Sequence, residues 1–306
     1  MYAEEIQPQE KERFRFSDHP WFSLVALNAT GILVLVLVII TANQIGIPGD
    51  APYRPLIIPT LPHLLMLFVI APFVFQLPNG KTTFRKYLDD IRLSRIQPFI
   101  PLLILGVSSS LIMLLALATN SFIYRIAQGL PLSQTFLRNV IDLKGDLPPD
   151  SLSYIVSFPS IFEEISWRGV LLVLFLRKYS VKQSILITAL GFGLMHFINL
   201  ISGVDPSFVI RQVILGSALG FFYGYLVLRS DSLMPAMLFH YLVNMFIGSF
   251  TIYFQRHAPA GTQIMYSMIN LTLAVTILIL WVKLFCGRWI PRPEGLKPID
   301  LWRKQK

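Results

Sequence analysis

The sequence has a single cysteine, Cys286, and few charged side chains. One cysteine cannot form an internal disulfide, and no cluster of metal-ligand residues surrounds it, so we expect no thiol chemistry. Only 14% of the 306 residues are charged, while 54% are hydrophobic. The charges lie at the ends and between long apolar runs, whereas a soluble domain of this length distributes them more evenly. The composition therefore excludes an ordinary soluble protein.

Eight apolar runs are long enough to cross a membrane, since about 20 apolar residues in a helix span the hydrocarbon core. The predicted fold class is all-α, a polytopic integral membrane bundle of about eight transmembrane helices in one membrane domain, residues 1–306. The second run contains several prolines, and the count falls to seven if that run is re-entrant. The runs are Trp21–Ile45, Tyr53–Leu77, Pro98–Tyr124, Leu152–Leu176, Gln183–Ile201, Phe208–Leu228, Leu233–Phe254 and Thr262–Phe285.

The basic residues are distributed unequally between the two sides of this bundle. Of the 26 lysines and arginines, 19 fall on the side that holds both termini, six on the other, and Arg168 lies inside a run. The positive-inside rule therefore predicts a cytoplasmic N-terminal segment, residues 1–20, and a basic cytoplasmic tail, residues 287–306. The tail suits an anionic lipid surface. The asymmetry explains the net charge of +9 without a nucleic-acid partner, and we expect a bacterial plasma membrane.

Glycines recur every four residues in the sixth run, at Gly216, Gly220 and Gly224. Small residues on one helical face let a neighbouring helix approach closely. The pattern predicts tight packing rather than a chemical role.

Two adjacent glutamates, Glu163 and Glu164, are the only acidic residues in the middle of an apolar run. Ionisable groups at that depth cost at least ~2.5–3.5 kcal/mol each, so they normally face a polar cavity and serve a function. Arg168 follows Glu164 by one helical turn, which predicts an ion pair that neutralises this carboxylate. Glu163 points about 100° away. We therefore predict structural roles for Glu164 and Arg168 and a reactive carboxylate at Glu163.

Two of the five histidines, His196 and His240, also lie in the middle of apolar runs. Phe192 precedes His196 by four residues and Asn244 follows His240 by four, so each pair projects from one helical face. A single buried histidine is more often a hydrogen-bonded core residue than a catalyst. Two histidines, two glutamates and an asparagine on three separate runs favour a functional site instead.

Hydrolysis fits this set of side chains. A carboxylate and an imidazole, Glu163 and His196, would orient and deprotonate a water, while His240 and Asn244 would stabilise the oxyanion of a tetrahedral intermediate. A zinc site built from Glu163, His196 and His240 is the alternative, because two histidines and a carboxylate form a common catalytic zinc shell. The residues alone leave both open.

Motifs of other intramembrane proteases are absent from the sequence. It has no His-Glu-x-x-His string, no pair of aspartates within the runs, and no Gly-x-Ser-x-Gly, since the nearest string, Gly216–Gly220, places its serine differently. Chemistry of the site-2 protease, presenilin and rhomboid types is therefore disfavoured.

Three strings carry a family resemblance: Glu163-Glu164-Ile-Ser-Trp-Arg168, Phe192-Gly-Leu-Met-His196 and His240-Tyr-Leu-Val-Asn244. In this order they resemble the motifs of the CPBP (CAAX protease and bacteriocin-processing) family, also called Abi. The matching region, residues 152–246, is the predicted catalytic core. The resemblance implies the CAAX endopeptidase fold, a cavity opening toward the cytoplasmic leaflet, and peptide-bond cleavage by a glutamate-activated water. It also implies the catalytic roles given above to Glu163, His196, His240 and Asn244. The other three motif residues are predicted as structural support, namely Glu164, Arg168 and Phe192.

The leading hypothesis is an intramembrane endopeptidase that acts on a membrane-associated peptide or protein. Its partners are membrane lipid and that substrate, and the favoured mechanism requires no cofactor, with zinc as the alternative. A non-proteolytic membrane scaffold or bacteriocin-immunity factor of the same fold is the second hypothesis. A proton-coupled transporter ranks lower, because the runs show no repeated halves with paired broken helices.

Overall fold

The computed structural model describes residues 18–48, 51, 54–74, 83–141, 157–200 and 203–290, and the regular structure in these ranges is entirely helical. The all-α prediction is thus confirmed. The helices, in chain order, are α1 Pro20–Gln44; α2 Arg54–Leu64, continuing through a π-helical segment Leu65–Ile70 into Ala71–Val74; α3 Phe84–Asp90; α4 Phe99–Ala127; α5 Gln134–Asn139; α6 Pro159–Glu164, continuing through a π-helical segment Ile165–Leu171 into Leu172–Lys178; α7 Val181–Met195, followed by a 3-10 turn His196–Leu200; α8 Pro206–Ser230; α9 Met234–His257; and α10 Ala260–Trp289.

All eight predicted apolar runs coincide with helices, namely α1, α2, α4 and α6 to α10. Five of these, α1, α4, α7 with its 3-10 turn, α8 and α10, are long and apolar enough to cross a membrane. The prolines of α2 do not end that helix, which runs on through its π-helical segment. Some predicted segments extend outside the described residues, at positions 1–17, 53, 75–77, 152–156, 201 and 291–306.

The outer surface of the bundle is apolar. Val25, Leu33 and Leu37 of α1 and Leu284 of α10 expose most or about half of their side chains. Contiguous apolar surface of this extent is rare on soluble proteins but is matched by lipid tails. The structure therefore supports an integral membrane protein.

Polar side chains tie α4 to α10 inside the bundle. Asn270 on α10 donates from Nδ2 to Oδ1 of Asn120 on α4 at 3.1 Å, and both side chains are buried. Trp281 Nε1 donates to Ser108 Oγ at 3.0 Å. Hydrogen bonds between helices replace the hydrophobic driving force that lipid does not supply. They hold the framework against which α9 packs.

The glycine face of α8 packs against α7, as the spacing predicted. A Cβ atom added at Gly224 would lie 3.2 Å from Ile185 Cγ2, and one added at Gly220 would lie 3.1 Å from Ala189 Cα. At Gly216 the added atom would lie 3.5 Å from Gly193 Cα. The two backbones therefore approach as closely as small residues allow.

Gly193 of α7 is the tightest point of this contact, and we expect Gly193→Ala to be strongly destabilising. The added Cβ would lie 2.0 Å from Ser217 Oγ and 2.6 Å from the backbone oxygen of Val213. Because one of these atoms is backbone, α7 must move away from α8, and His196 moves with it. Overpacking of this kind costs about 1–3 kcal/mol. We expect a lower Tm in detergent.

The matched control for this substitution is Gly248→Ala on α9, where an added Cβ meets nothing within 4 Å. Its Tm should stay at or slightly above the wild-type value, because alanine is the better helix former. A Gly193→Ala protein with the wild-type Tm would contradict the close α7–α8 contact.

A cluster of charged residues fixes the start of α9. Arg92, in the α3–α4 connection, is buried and donates from Nε to Asp231 Oδ1 at 3.0 Å in the α8–α9 turn. Arg95 pairs with the other oxygen of Asp231 and with Asp89, and its guanidinium holds the pKa of Asp89 below the usual value. Arg92 and Asp231 both have left-handed backbone, with φ of 65° and 52°. Such residues cost about 1 kcal/mol or more each, a cost these ion pairs help to offset.

Candidate active site

Helix α6 presents two carboxylates in different environments. Glu163 and Glu164 end its first α-helical part, immediately before the π-helical segment Ile165–Leu171. π-Helical turns are rare in proteins, and those that do occur are often found at functional sites. The side chain of Glu164 is completely buried, whereas that of Glu163 is 24% exposed. The structure therefore separates the two neighbours, as the helical geometry predicted.

Glu164 is the centre of a buried polar cluster. Its Oε1 accepts from Arg168 Nη1 at 3.0 Å, and both side chains are inaccessible to solvent. This is the ion pair that the spacing of four residues predicted. The same oxygen lies 2.9 Å from Nδ1 of His240 on α9. An ionised carboxylate only accepts, so Nδ1 carries the proton and Glu164 orients the imidazole ring.

The other nitrogen of His240 faces Glu163. His240 Nε2 lies 3.9 Å from Glu163 Oε2, too far for a direct hydrogen bond but a distance that one water can bridge. Glu163 and His196, the predicted water-activating pair, are both in the described ranges and share no hydrogen bond. The structure therefore brings Glu163 next to His240, a juxtaposition that the sequence did not predict.

His196 occupies the C-terminal end of α7. Its Nδ1 lies 3.0 Å from the backbone oxygen of Phe192, a group that only accepts, so Nδ1 carries the proton and the lone pair is on Nε2. The ring lies against Gly216, where an added Cβ would approach its Cε1 to 3.3 Å. The ring is half-buried. Its Nε2 can therefore accept a proton or a hydrogen bond.

Aromatic rings connect the two imidazoles to the ion pair. Phe192 makes edge contacts with both histidines, at centroid distances of 5.1 Å to His196 and 5.9 Å to His240. The Arg168 guanidinium lies 4.5 Å from the centre of the Phe192 ring. The Tyr223 ring of α8 stacks on the His240 ring at a centroid distance of 4.9 Å. The Arg168 guanidinium also lies 4.8 Å from the centre of the Tyr223 ring. Phe192 was predicted as support, but Tyr223 was missed, because no polar partner or motif marks it in the sequence.

Asn244 lies one turn beyond His240 on the same helix, and its side chain is exposed. It has no hydrogen-bond partner within the described ranges. The structure thus joins Glu163, Glu164, Arg168, Phe192 and His240 through direct contacts. His196 is joined through Phe192, and Asn244 only through its position on α9.

The residues named for a zinc site were Glu163, His196 and His240. Across the part of the chain that the structure describes, no three His, Cys, Asp or Glu side chains are placed to hold a metal ion together. These three residues are therefore not arranged as a zinc shell in the described structure, and the choice between zinc and a glutamate-activated water stays a prediction.

The site lies well inside its helices. Glu164 lies fourteen residues before Lys178, and His196 lies fifteen residues after Val181, so both are about 20 Å along their helices from the basic α6–α7 connection. The side of the membrane toward which the cavity opens stays a prediction.

Comparison with known proteins finds a family match to part of the chain. Residues 151–246 match the family model described as type II CAAX prenyl endopeptidase Rce1-like, and this segment contains all three motifs. No curated protein and no solved structure matches the chain. The family match confirms the resemblance to the CAAX protease family over these residues.

Proposed function

We propose that this protein is an intramembrane endopeptidase that hydrolyses a peptide bond of a membrane-associated peptide or protein with a water activated by Glu163. The observation that carries the proposal is the pairing of Glu163 with the oriented imidazole of His240 inside an apolar bundle. Polar groups are expensive in such surroundings and are retained there for function. The Rce1-like match over residues 151–246 supports the same reaction class.

The first step requires a base, and Glu163 is the carboxylate available for it. Glu164 is occupied by Arg168 and His240, whereas Glu163 is partly exposed and accepts no hydrogen bond within the described residues. Glu163 takes one proton from a water while the water oxygen attacks the carbonyl carbon. His196 Nε2, with its lone pair, can orient this water.

The tetrahedral intermediate carries a negatively charged oxygen, which hydrogen-bond donors stabilise. Asn244 offers its amide N–H groups, and His240 can donate from Nε2 when it is an imidazolium, since Nδ1 already donates to Glu164. The proton held by Glu163 then passes to the leaving nitrogen as the carbon–nitrogen bond breaks. Peptide and water become one carboxylic acid and one amine, and the Glu163 carboxylate is restored.

The proposed reaction uses no cofactor. We also propose membrane lipid as the surrounding partner and a bacterial plasma membrane as the location, with both termini cytoplasmic. The charge asymmetry of the connections supports this orientation.

The test is cleavage of a quenched-fluorescence peptide library by the purified protein in detergent, with and without a zinc chelator. We expect cleavage that the chelator does not change. If the chelator abolishes cleavage and added zinc restores it, the water is activated by zinc, and the proposed activation by the Glu163 carboxylate alone is wrong. No cleavage, together with a cellular function that survives Glu163→Ala, would favour the scaffold or immunity factor.

A further inference from the structure

A pair of side-chain amides lies next to His196. Asn199 belongs to the 3-10 turn that begins at His196, and with three residues per turn the two side chains share one face. Asn199 Nδ2 donates to Oε1 of Gln212 on α8 at 2.9 Å. Both side chains are half-buried. The amide pair therefore extends the polar lining of the site beyond His196.

The position of Gln212 connects this pair to the imidazole. Gln212 lies one helical turn before Gly216, where an added Cβ would lie 3.3 Å from Cε1 of the His196 ring. Asn199 and Gln212 thus bridge the ends of α7 and α8 at the level just past His196. This is the side of His196 that is remote from the basic α6–α7 connection.

One hydrogen bond engages only two of the four polar groups of two primary amides. Asn199 keeps a carbonyl oxygen and Gln212 keeps an NH₂ group, and neither has another partner among the described residues. If both side-chain amides are flipped, so that oxygen and nitrogen change places, one C=O group and one NH₂ group are still left without a partner. A polar group left unpaired in an apolar bundle is costly.

We propose that Asn199 and Gln212 form a subsite that binds the main chain of the peptide substrate beside the scissile bond. One peptide residue presents an N–H and a C=O, which complement the free oxygen and the free NH₂ of the pair. The pair is uncharged, so it binds backbone rather than an ionic side chain. This inference rests on the proposed endopeptidase function. Because the pair would bind only the main chain of the substrate, binding there would not depend on the substrate's side chains.

The experiment uses the best-cleaved peptide of the library and a series of derivatives, each N-methylated at one residue near the scissile bond. For the wild type we expect one position where methylation lowers kcat/KM about tenfold or more, because it removes a donor and leaves the acceptor of the pair without its partner. Asn199→Leu and Gln212→Leu should lower kcat/KM for the unmethylated peptide, chiefly through KM. In both variants the penalty at that position should disappear.

A matched control is Gln255→Leu, which removes an amide that donates to Thr251 on α9 and forms no hydrogen bond with the pair. This variant should keep the wild-type methylation penalty, and the Tm of all variants reports any purely structural effect. An active wild type whose penalty persists unchanged in Asn199→Leu and Gln212→Leu would overturn the subsite alone. A wild type that cleaves no peptide would overturn the proposed function itself.

Discussion

Glu163→Gln is expected to lower kcat by about 10²–10⁴-fold, the usual contribution of a general base. Glutamine has the same shape as glutamate but cannot take a proton from the attacking water. The substituted side chain is partly exposed and makes no ion pair shorter than the 3.9 Å approach to His240. The fold should therefore survive, and we expect a Tm close to that of the wild type.

The control for this substitution is Ser166→Ala on the same helix. Ser166 donates only to the backbone oxygen of Phe162, one turn earlier, so its removal should leave kcat and Tm nearly unchanged. Steady-state cleavage of one selected peptide by the three proteins is the measurement. Full activity in Glu163→Gln would rule out Glu163 as the base and direct attention to the histidines.

Arg168→Met is expected to destabilise the protein by about 3–5 kcal/mol, the cost of leaving a buried charge without its partner. Arg168 is completely buried, donates to Glu164, and lies over the rings of Phe192 and Tyr223. Methionine fills much of the volume but leaves the Glu164 carboxylate uncompensated. Unfolding by heat or by a denaturing detergent measures the loss, which should appear as a clearly lower Tm.

The double variant Glu164→Gln/Arg168→Met separates charge from packing. Glutamine removes the uncompensated charge and still offers an oxygen to His240 Nδ1, so we expect most of the stability to return. Activity should stay low, because a neutral amide orients and supports a charged imidazole less well than a carboxylate does. A double variant no more stable than Arg168→Met would show that Arg168 acts through its ring contacts and not through Glu164.

The helices could be predicted because membrane spans obey a local rule. Each needs a run of apolar residues about as long as the hydrocarbon core, and hydrogen bonds within the run satisfy its backbone. The eighth run, Thr262–Phe285, is shorter than helix Ala260–Trp289, since a helix can continue into the polar interface. The π-helical segments in α2 and α6 were not predicted, because no single residue type specifies that extra width.

Local spacing also predicted the contacts that one helical face defines. The glycines of α8 and the ion pair of Glu164 with Arg168 follow directly from a period of about four residues. The predicted partnership of Glu163 with His196 had no such basis, because it joins two helices. The roles assigned to Glu163, His196, His240 and Asn244 stay predictions for the kinetic experiments above.

The sequence by itself determined an all-helical membrane protein, the position of its ionisable residues within apolar runs, and the motifs that match the Rce1-like family. Only the tertiary structure decided that Glu164 holds His240, a residue 76 positions later, that Tyr223 stacks on this imidazole, and that Asn199 pairs with Gln212. The physical reason is the range of the interactions. Hydropathy and helical period act within one segment, whereas contacts between segments depend on how the helices pack and tilt against one another.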